Sequence, residues 1–378
     1  MRAIDRMAKV TSCTAAQPAT VDSQSAAILF ITRKWGPAVG GMETYCERLT
    51  EELARVRPIE VIALKGQANG LPPGPIALLM FPFTVAKRLM MSRAKPLIVH
   101  LGDMAIWPLG LLALFFYPSA RLHLSAHGTD VAYGARGGIR GRLYSLYQCL
   151  GAYVLRHAKV IANSRATRER VEKLGWRCAA VVPLATDLKS DEVGSVENST
   201  ILFAGRVTKR KGCDWFVRNV LPLLPDHVRL SVIGTRWDTR EDEALENPRV
   251  DFLGPKDQSD LARHYAKAGC VIVPNIELAN GEYEGFGLVA PEAASAGGVV
   301  LASATGGLLD AVIDEKTGFL IKAGDAQAWA NKILEVLAWS EAKRGQFVRG
   351  SQAAATCHYN WHRVGTDTLA AYGEGAHV

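Results

Sequence analysis

Short uninterrupted apolar runs alternate along the chain with longer stretches in which apolar residues recur every three or four positions. Residues 27–32 (AILFIT) form the first run, the mark of a strand buried on both faces. Gly36, Gly40 and Gly41 follow. Met42, Tyr45, Cys46, Leu49 and Leu53 then share one face at helical spacing. Runs at 59–64, 96–101, 122–126 and 160–162 predict further strands, and 142–156 has helical periodicity. A polar, turn-rich segment at 188–198 interrupts the pattern, which then restarts. In the second half strands are predicted at 199–204, 229–233, 250–253, 270–273, 299–302 and 317–321, and helices at 213–224, 287–296 and 326–337. Such alternation implies right-handed crossovers and parallel sheets. The expected fold class is α/β, with two doubly wound Rossmann-like domains facing each other across a cleft. Residues 1–26 read as a flexible leader, 27–187 as the N-terminal domain, 188–198 as the linker and 199–350 as the C-terminal domain. Residues 351–378 read as a helix returning toward the N-terminal domain. Ligands of doubly wound sheets sit outside the carboxyl ends of the strands, here in the cleft.

Composition narrows the class. The 378 residues are 48% hydrophobic and 21% charged, which excludes a disordered chain, a collagen and a coiled coil. The longest apolar run, 106–117, is interrupted by Pro108 and is shorter than the ~20 residues of a membrane span. The leader lacks the apolar core of a secretory signal. Seven cysteines, at 13, 46, 149, 178, 213, 270 and 357, show no CxxC spacing and are expected to be reduced, buried thiols of a cytosolic protein.

Charge divides the chain more sharply than its net value of +7 suggests. Residues 1–190 carry 25 Lys plus Arg against 12 Asp plus Glu, and the remaining 188 carry 19 against 25. A basic first domain points to a polyanion. No nucleic-acid reading module is present, so nucleic acid is not an expected partner and an anionic membrane surface is. Residues 75–91 and 106–117 are apolar, with Lys87, Arg88, Arg93 and Lys95 in or beside the first. They read either as core helices or as an interfacial surface meeting a polyprenyl-linked or other lipid acceptor.

Candidate chemistry follows the predicted strands. Glu284 and Glu292 bracket EGFGLVAPE, with Phe286 and Gly287 between them. Pro291 suits a first helical turn, where an anion is favoured, so Glu292 belongs to the helix and Glu284 to the loop before it. Two such carboxylates can accept hydrogen bonds from hydroxyls on two parts of one ligand. A capping carboxylate plus a solvated surface glutamate would give the same pattern. In 205–212 (GRVTKRKG), Arg206 and Lys211 lie between two glycines directly after an apolar strand. This is a phosphate site without Walker spacing, or a solvated basic turn. Gly40 and Gly41 in 36–43 (GPAVGGME) open a helix whose free amides can hold an anion. His127, in 125–130 (SAHGTD), ends a strand and is placed to donate to a sugar hydroxyl or a phosphate, or to serve structure. Asp130 is the one carboxylate beside it, too few for a metal site. Asp310, in 305–310 (TGGLLD), frames the same cleft or caps a helix.

Taken in order, these motifs resemble the group one family of retaining GT-B glycosyltransferases, glycosyltransferase family four. The likeness runs from about Ile28 to Leu337: strand–GGME–helix, His127 after a strand, GRxxxxKG, E-x7-E with FG inside, and GG…D…TGFL. It implies a metal-independent retaining hexosyltransferase. Such an enzyme moves a sugar from a UDP- or GDP-linked donor to a glycan or lipid-linked glycan, in polysaccharide or cell-envelope assembly. No cofactor beyond the nucleotide-sugar co-substrate is implied. The catalytic set carried over is Glu284, His127, Lys211 and Arg206. Arg206 and Lys211 would bind the donor diphosphate, Glu292 the ribose hydroxyls and Glu284 the transferred sugar near its reacting carbon. His127 would orient that sugar, and Gly41 would bring backbone to the donor, with Gly40, Phe286 and Gly287 completing the pocket. The sequence departs from the family at Gly102, where a second histidine is frequent, at Gly298 in place of proline and at Asp310 in place of glutamate. The implied location is cytoplasmic and peripheral, on the inner face of the membrane. A sugar-nucleotide binding protein, or an epimerase or phosphorylase of the same fold, is the alternative.

Overall fold

The computed structural model describes residues 28–92, 95–190 and 196–373. The expected leader, Arg93, the middle of the linker and residues 374–378 lie outside them. The first domain runs β1 (Ile28–Thr32), α1 (Gly41–Ala54), β2 (Ile59–Ala63), α2 (Pro75–Met91), β3 (Ile98–Leu101), α3 (Trp107–Phe116), β4 (Arg121–Ala126), α4 (Thr129–Ala132), α5 (Gly138–Val154), β5 (Lys159–Ala162), α6 (Arg165–Lys173) and β6 (Arg177–Val181). The second runs β7 (Glu197–Ala204), α7 (Cys213–Asn219), β8 (Arg229–Ile233), β9 (Val250–Gly254), α8 (Gln258–Lys267), β10 (Ala268–Val273), α9 (Val289–Ser295), β11 (Val300–Ser303), α10 (Leu308–Ala311), β12 (Phe319–Ile321) and α11 (Ala326–Leu337). Two further helices follow, α12 (Glu341–His358) and α13 (Trp361–Ala371).

Each domain holds one six-stranded parallel sheet, ordered β2-β1-β3-β4-β5-β6 and β12-β11-β10-β7-β8-β9. These are the two doubly wound, Rossmann-like units expected. The winding reverses between β1 and β3 in the first sheet and between β7 and β10 in the second. Those reversals open a crevice at the carboxyl ends of the strands, which is where a ligand fits.

The continuous apolar strands are explained by layers on both faces. Ile28 and Phe30 face one way, into a cluster with Tyr45, Leu49 and Leu53 of α1 and Val364 of α13. Leu29 and Ile31 face the other way, toward Phe81 and Val85 of α2, Ala113 of α3 and Ala152 of α5. Each fully buried Leu, Ile or Phe in these layers contributes about 1.5–3 kcal/mol.

Several elements differ from the pattern read along the sequence. The helix expected over 213–224 stops at Asn219, because Pro222 cannot continue it, and 221–223 form a 3-10 turn. The single helix expected over 351–378 is instead the end of α12 followed by a separate α13, whose N-terminus is capped by Asn360 accepting from the Arg363 amide at 2.8 Å. Helix α13 packs against α1. Helix α6 escaped the hydrophobic pattern because it buries only Thr167 and Val171. The thiols were expected to be buried, yet Cys149 and Cys357 are exposed on helix surfaces.

Candidate functional site

The end of β7 sets the site. After Ala204 the chain leaves the sheet through Gly205, and 209–211 fold into a 3-10 turn ending at Gly212. Gly212 has φ 72°, and a β-carbon there would meet the Pro274 carbonyl oxygen. Only glycine permits that approach. The Ile276 amide donates to the Arg210 carbonyl at 3.1 Å, which ties this turn to the loop after β10. The turn therefore lies across the β7/β10 reversal, with Arg210 and Lys211 directed to one acid.

That acid is Glu284. Its Oε2 lies 2.6 Å from Lys211 Nζ and 2.5 Å from Arg210 Nη1, and accepts from Asn275 Nδ2 at 3.0 Å. Burial pushes the carboxyl up, but Lys211 and then Arg210 outweigh it and hold the pKa at about 2. Glu284 is thus ionised throughout the physiological range. Glu292, in the first turn of α9, is the opposite case. Burial dominates and lifts its pKa to about 7, with Lys211 and the Tyr265 hydroxyl pulling the other way. Lys211 is thus ion-paired with one carboxyl and acts electrostatically on a second whose protonation behaviour differs, a pattern found at functional sites.

The N-terminal domain closes over this loop. A β-carbon at Gly285 would strike the His127 carbonyl, and one at Gly128 would strike Gly285 Cα. Ser164 Oγ donates to the Gly285 carbonyl at 2.6 Å and Tyr283 Oη to Thr167 Oγ1 at 3.2 Å. Asp310 accepts from the Arg165 amide and guanidinium, both at 2.8 Å. It bridges the domains and, by accepting from the Arg165 amide, also satisfies the first amide of α6. A cavity of about 460 Å³ lies beside Glu284, lined by Asn275 and Tyr283 from one side and by Arg165 and Arg170 of α6 from the other.

His127 reaches the same place from β4. Its backbone amide donates to Asp130 and its ring sits 4.6 Å from Tyr45, edge-on. Nε2 lies 2.9 Å from the Gly102 carbonyl, which can only accept, so Nε2 carries the proton. The Nε2 donation is already committed to the Gly102 carbonyl. Gly102, where the second histidine of the family is absent, thus serves as the anchor for the first. Asp130 is not the one carboxylate nearby: Asp103 from the end of β3 approaches it, held by Arg33 at 3.1 Å. Among the described residues no group of three metal-ligating side chains occurs.

Lys211 is ion-paired with Glu284, and the His127 carbonyl packs on Gly285 of the same loop as Phe286 and Gly287; of the catalytic and donor-binding residues predicted, Glu284 is the one that lines the cavity. Gly40 and Gly41 open α1 on the facing side, where a β-carbon at Gly41 would stand 3.0 Å from Leu288 Cδ1. Arg206 stands apart. It is exposed, and its guanidinium lies 5.0 Å over the ring of Trp237. The cation paired with Lys211 is Arg210. Sequence reasoning missed Arg210, Asn275 and the Arg165–Asp310 bridge. The KRK run at 209–211 held the signal for Arg210, but nothing in it said which cation faces inward.

Two family models match this chain: Glycosyltransferase Family 4 over residues 39–190 and Glycosyl transferases group 1 over residues 198–338. A D-inositol 3-phosphate glycosyltransferase of Xylanimonas cellulosilytica is 36% identical over 188 residues, 47% of this chain and 43% of that protein. One of Salinispora tropica is 33% identical over 194 residues, 46% of this chain and 38% of that protein. The chain therefore matches less than half the length of these curated relatives. Among solved structures, Anabaena HepE in complex with UDP and glucose is similar with TM-score 0.66 and 18% identity, covering 92% of this chain and 100% of that one. The sucrose-phosphate synthase from Thermosynechococcus elongatus is similar with TM-score 0.68 and 21% identity, covering 93% and 99%. The shared fold is GT-B.

Proposed function

Since the chain belongs to the glycosyltransferase group 1, family 4, we propose that it moves a sugar from a nucleotide-sugar donor, UDP- or GDP-linked, to an acceptor hydroxyl with retention at the reacting carbon. The single observation that carries this reading is the pairing of Lys211 and Arg210 with the buried Glu284 at the winding reversal of the second sheet.

The bond that breaks joins the sugar to a diphosphate, so negative charge grows on the departing phosphate. Lys211 and Arg210 are fixed at that position by Glu284, and a preorganised cation or donor there accelerates transfer by about 10²–10³-fold. Arg206 joins them by leaving Trp237. A cation–π contact at an exposed indole contributes only about 0.5–1 kcal/mol, less than a charged hydrogen bond to phosphate. Glu284, ionised at neutral pH, cannot protonate a leaving group. It stabilises positive charge developing on the sugar carbon and accepts from sugar hydroxyls. Glu292 accepts from the ribose hydroxyls, which favour its ionised form. His127 Nδ1 accepts from the transferred sugar and orients it. The amides of Gly40 and Gly41 approach the donor from the opposite lobe, and Phe286 and Gly287 shape the loop between the two acids. Cationic side chains supply the charge that a divalent ion supplies elsewhere, which supports a metal-independent reaction.

The acceptor belongs to the first domain, which is the basic half of the chain. A glycan or lipid-linked glycan, met at the inner face of an anionic membrane, suits that charge. Thermal shift with UDP, GDP and ADP and their sugars identifies the donor, because a ligand that binds the folded state raises Tm. Transfer of labelled sugar to acceptor then separates a transferase from a binding protein. Release of sugar phosphate only with orthophosphate, or epimerised donor without transfer, would overturn the proposal.

A further inference from the structure

Helices α2, α3 and α5 cover one face of the first sheet, side by side. Helices α2 and α3 are in contact, and the Trp107 ring of α3 lies 5.0 Å from the Tyr147 ring of α5, tilted against it. Their inner sides are ordinary core. Helix α2 buries only Phe81, Val85 and Leu89, one narrow stripe. Their outer sides are not ordinary surface. Among the described residues 24 large hydrophobic side chains are exposed, and 15 of them lie on these three helices. On α2 they include Ile76, Leu79, Phe83 and Met90, and on α3 Phe115 at 80% exposure. On α5, Ile139, Leu143, Leu146, Leu150 and Tyr153 recur every three or four residues and form a straight apolar stripe facing solvent.

Charge around this face has one sign. Between Glu60 and Glu169 the only acidic residues are Asp103 and Asp130, and both are buried. Lys87 and Arg88 on α2, Arg140 and Arg142 on α5 and Arg156 just beyond it are all exposed. Broad apolar exposure framed by cations alone is the complement of an anionic bilayer, whose headgroups take the charge and whose acyl boundary takes the apolar side chains. Among the described residues no helix is long and apolar enough to cross a membrane, so contact is along the surface.

We infer that the outward face of α2, α3 and α5 docks the protein on an anionic lipid bilayer. Helices run antiparallel to parallel strands, so Gly138 at the start of α5 lies at the carboxyl ends of the strands, a few residues after Gly128, which touches Gly285. The Ile139–Leu143 end of the stripe is therefore beside the cleft mouth. Resting on the transferase reading, this lets an acceptor keep its lipid part in the bilayer while its polar head enters the cleft.

The test is co-sedimentation of the full chain with vesicles of phosphatidylcholine alone and of phosphatidylcholine with phosphatidylglycerol. The variants are L143E/L146E, on the stripe, and R140E/R142E, on its rim. All four positions are exposed, so the fold is retained, and an unchanged Tm and an unchanged thermal shift by nucleotide check this. Wild type is expected to bind the anionic vesicles at least tenfold more tightly than the neutral ones, and each variant to lose about tenfold or more. Equal sedimentation of variants and wild type, or no binding by wild type, overturns the docking face. So does a wild-type dimer in analytical ultracentrifugation that L143E/L146E dissociates without any vesicle binding. Loss of nucleotide response in wild type with intact vesicle binding would instead sink the transferase reading and leave the docking face standing.

Discussion

Replacing Glu292 with Gln is expected to stabilise the protein and weaken the donor site together. Burial lifts this carboxyl to about 7, against an unfolded value near 4.3. A raised carboxyl favours the protonated folded state, so its stabilising contribution is complete below the unfolded value. It is lost as pH rises through about 7, after which ionisation of a buried group is a net cost. The difference of roughly 2.7 units corresponds to about 3–4 kcal/mol, and the partial exposure of this side chain reduces it to about 2. Gln keeps the shape and removes the charge. At pH 8 the variant should melt about 4–8 °C higher than wild type, and the gain should vanish as pH falls toward 4. The same change removes a charged acceptor for ribose hydroxyls, a loss of about 1.5–3 kcal/mol, or roughly 10–100-fold in nucleotide Kd. In wild type, nucleotide affinity should rise with pH through 7, because binding favours the ionised acid. Differential scanning calorimetry across pH 4–9 and isothermal titration at pH 6 and 8 read these quantities. A variant whose Tm offset is independent of pH, or which binds nucleotide as tightly as wild type, would refute the assignment.

Glu284→Gln should behave in the opposite way. Its folded value near 2 lies below the unfolded one, so its contribution is complete above about 4.5 and is lost as pH falls toward 2. The variant should lose about 3 kcal/mol at pH 7, measured by urea unfolding, with the deficit shrinking in acid, and kcat should fall at least 100-fold. Lys211→Ala should lose kcat to a similar extent and should raise the apparent pKa of Glu284, seen by carboxyl NMR. A normal kcat in either variant contradicts the roles proposed. Asp310→Ala removes the interdomain bridge to Arg165 and should lower kcat several-fold with donor KM changed less; small-angle scattering should show a larger radius of gyration, and an unchanged radius would count against a closing role. Activity in excess chelator should equal that in divalent metal, and loss with rescue by a divalent ion would disprove metal independence.

Strand ends were legible because a strand buried on both faces must be apolar throughout, and the polar turn after it stands out. That contrast located Lys211 and His127 just beyond their strands; Glu284 and Glu292 stood out by their spacing, and the roles of all four came from the resemblance to the family. The contrast did not decide between core and surface for helices. Residues 75–91 read either way from the spacing, and 142–156 only as helical, whereas much of the apolar surface of both faces solvent. Nor did it choose among cations. Arg206, Arg210 and Lys211 are equal as letters, and only the positive φ of Gly212, packed on Pro274, turns Arg210 and Lys211 inward and leaves Arg206 over Trp237.

The contacts that pin the 281–285 loop come from both domains, and this links closure to chemistry. Lys211, Arg210 and Asn275 hold the Glu284 carboxylate from the second domain. Ser164, Thr167 and Arg170 hold the neighbouring backbone and Tyr283 from the first, the last through the Gly281 carbonyl at 3.0 Å. Opening the cleft breaks the second set and leaves the first intact. Glu284 would then keep its charge partners but lose its fixed distance to His127, whose carbonyl packs on Gly285. Charge and position are thus controlled separately. The ion cluster keeps the acid ionised in any state, whereas its placement against the sugar requires the two lobes to meet. A donor bound to the second lobe alone would find the cations in place and the histidine absent, so it would be held without being cleaved until the first lobe arrives.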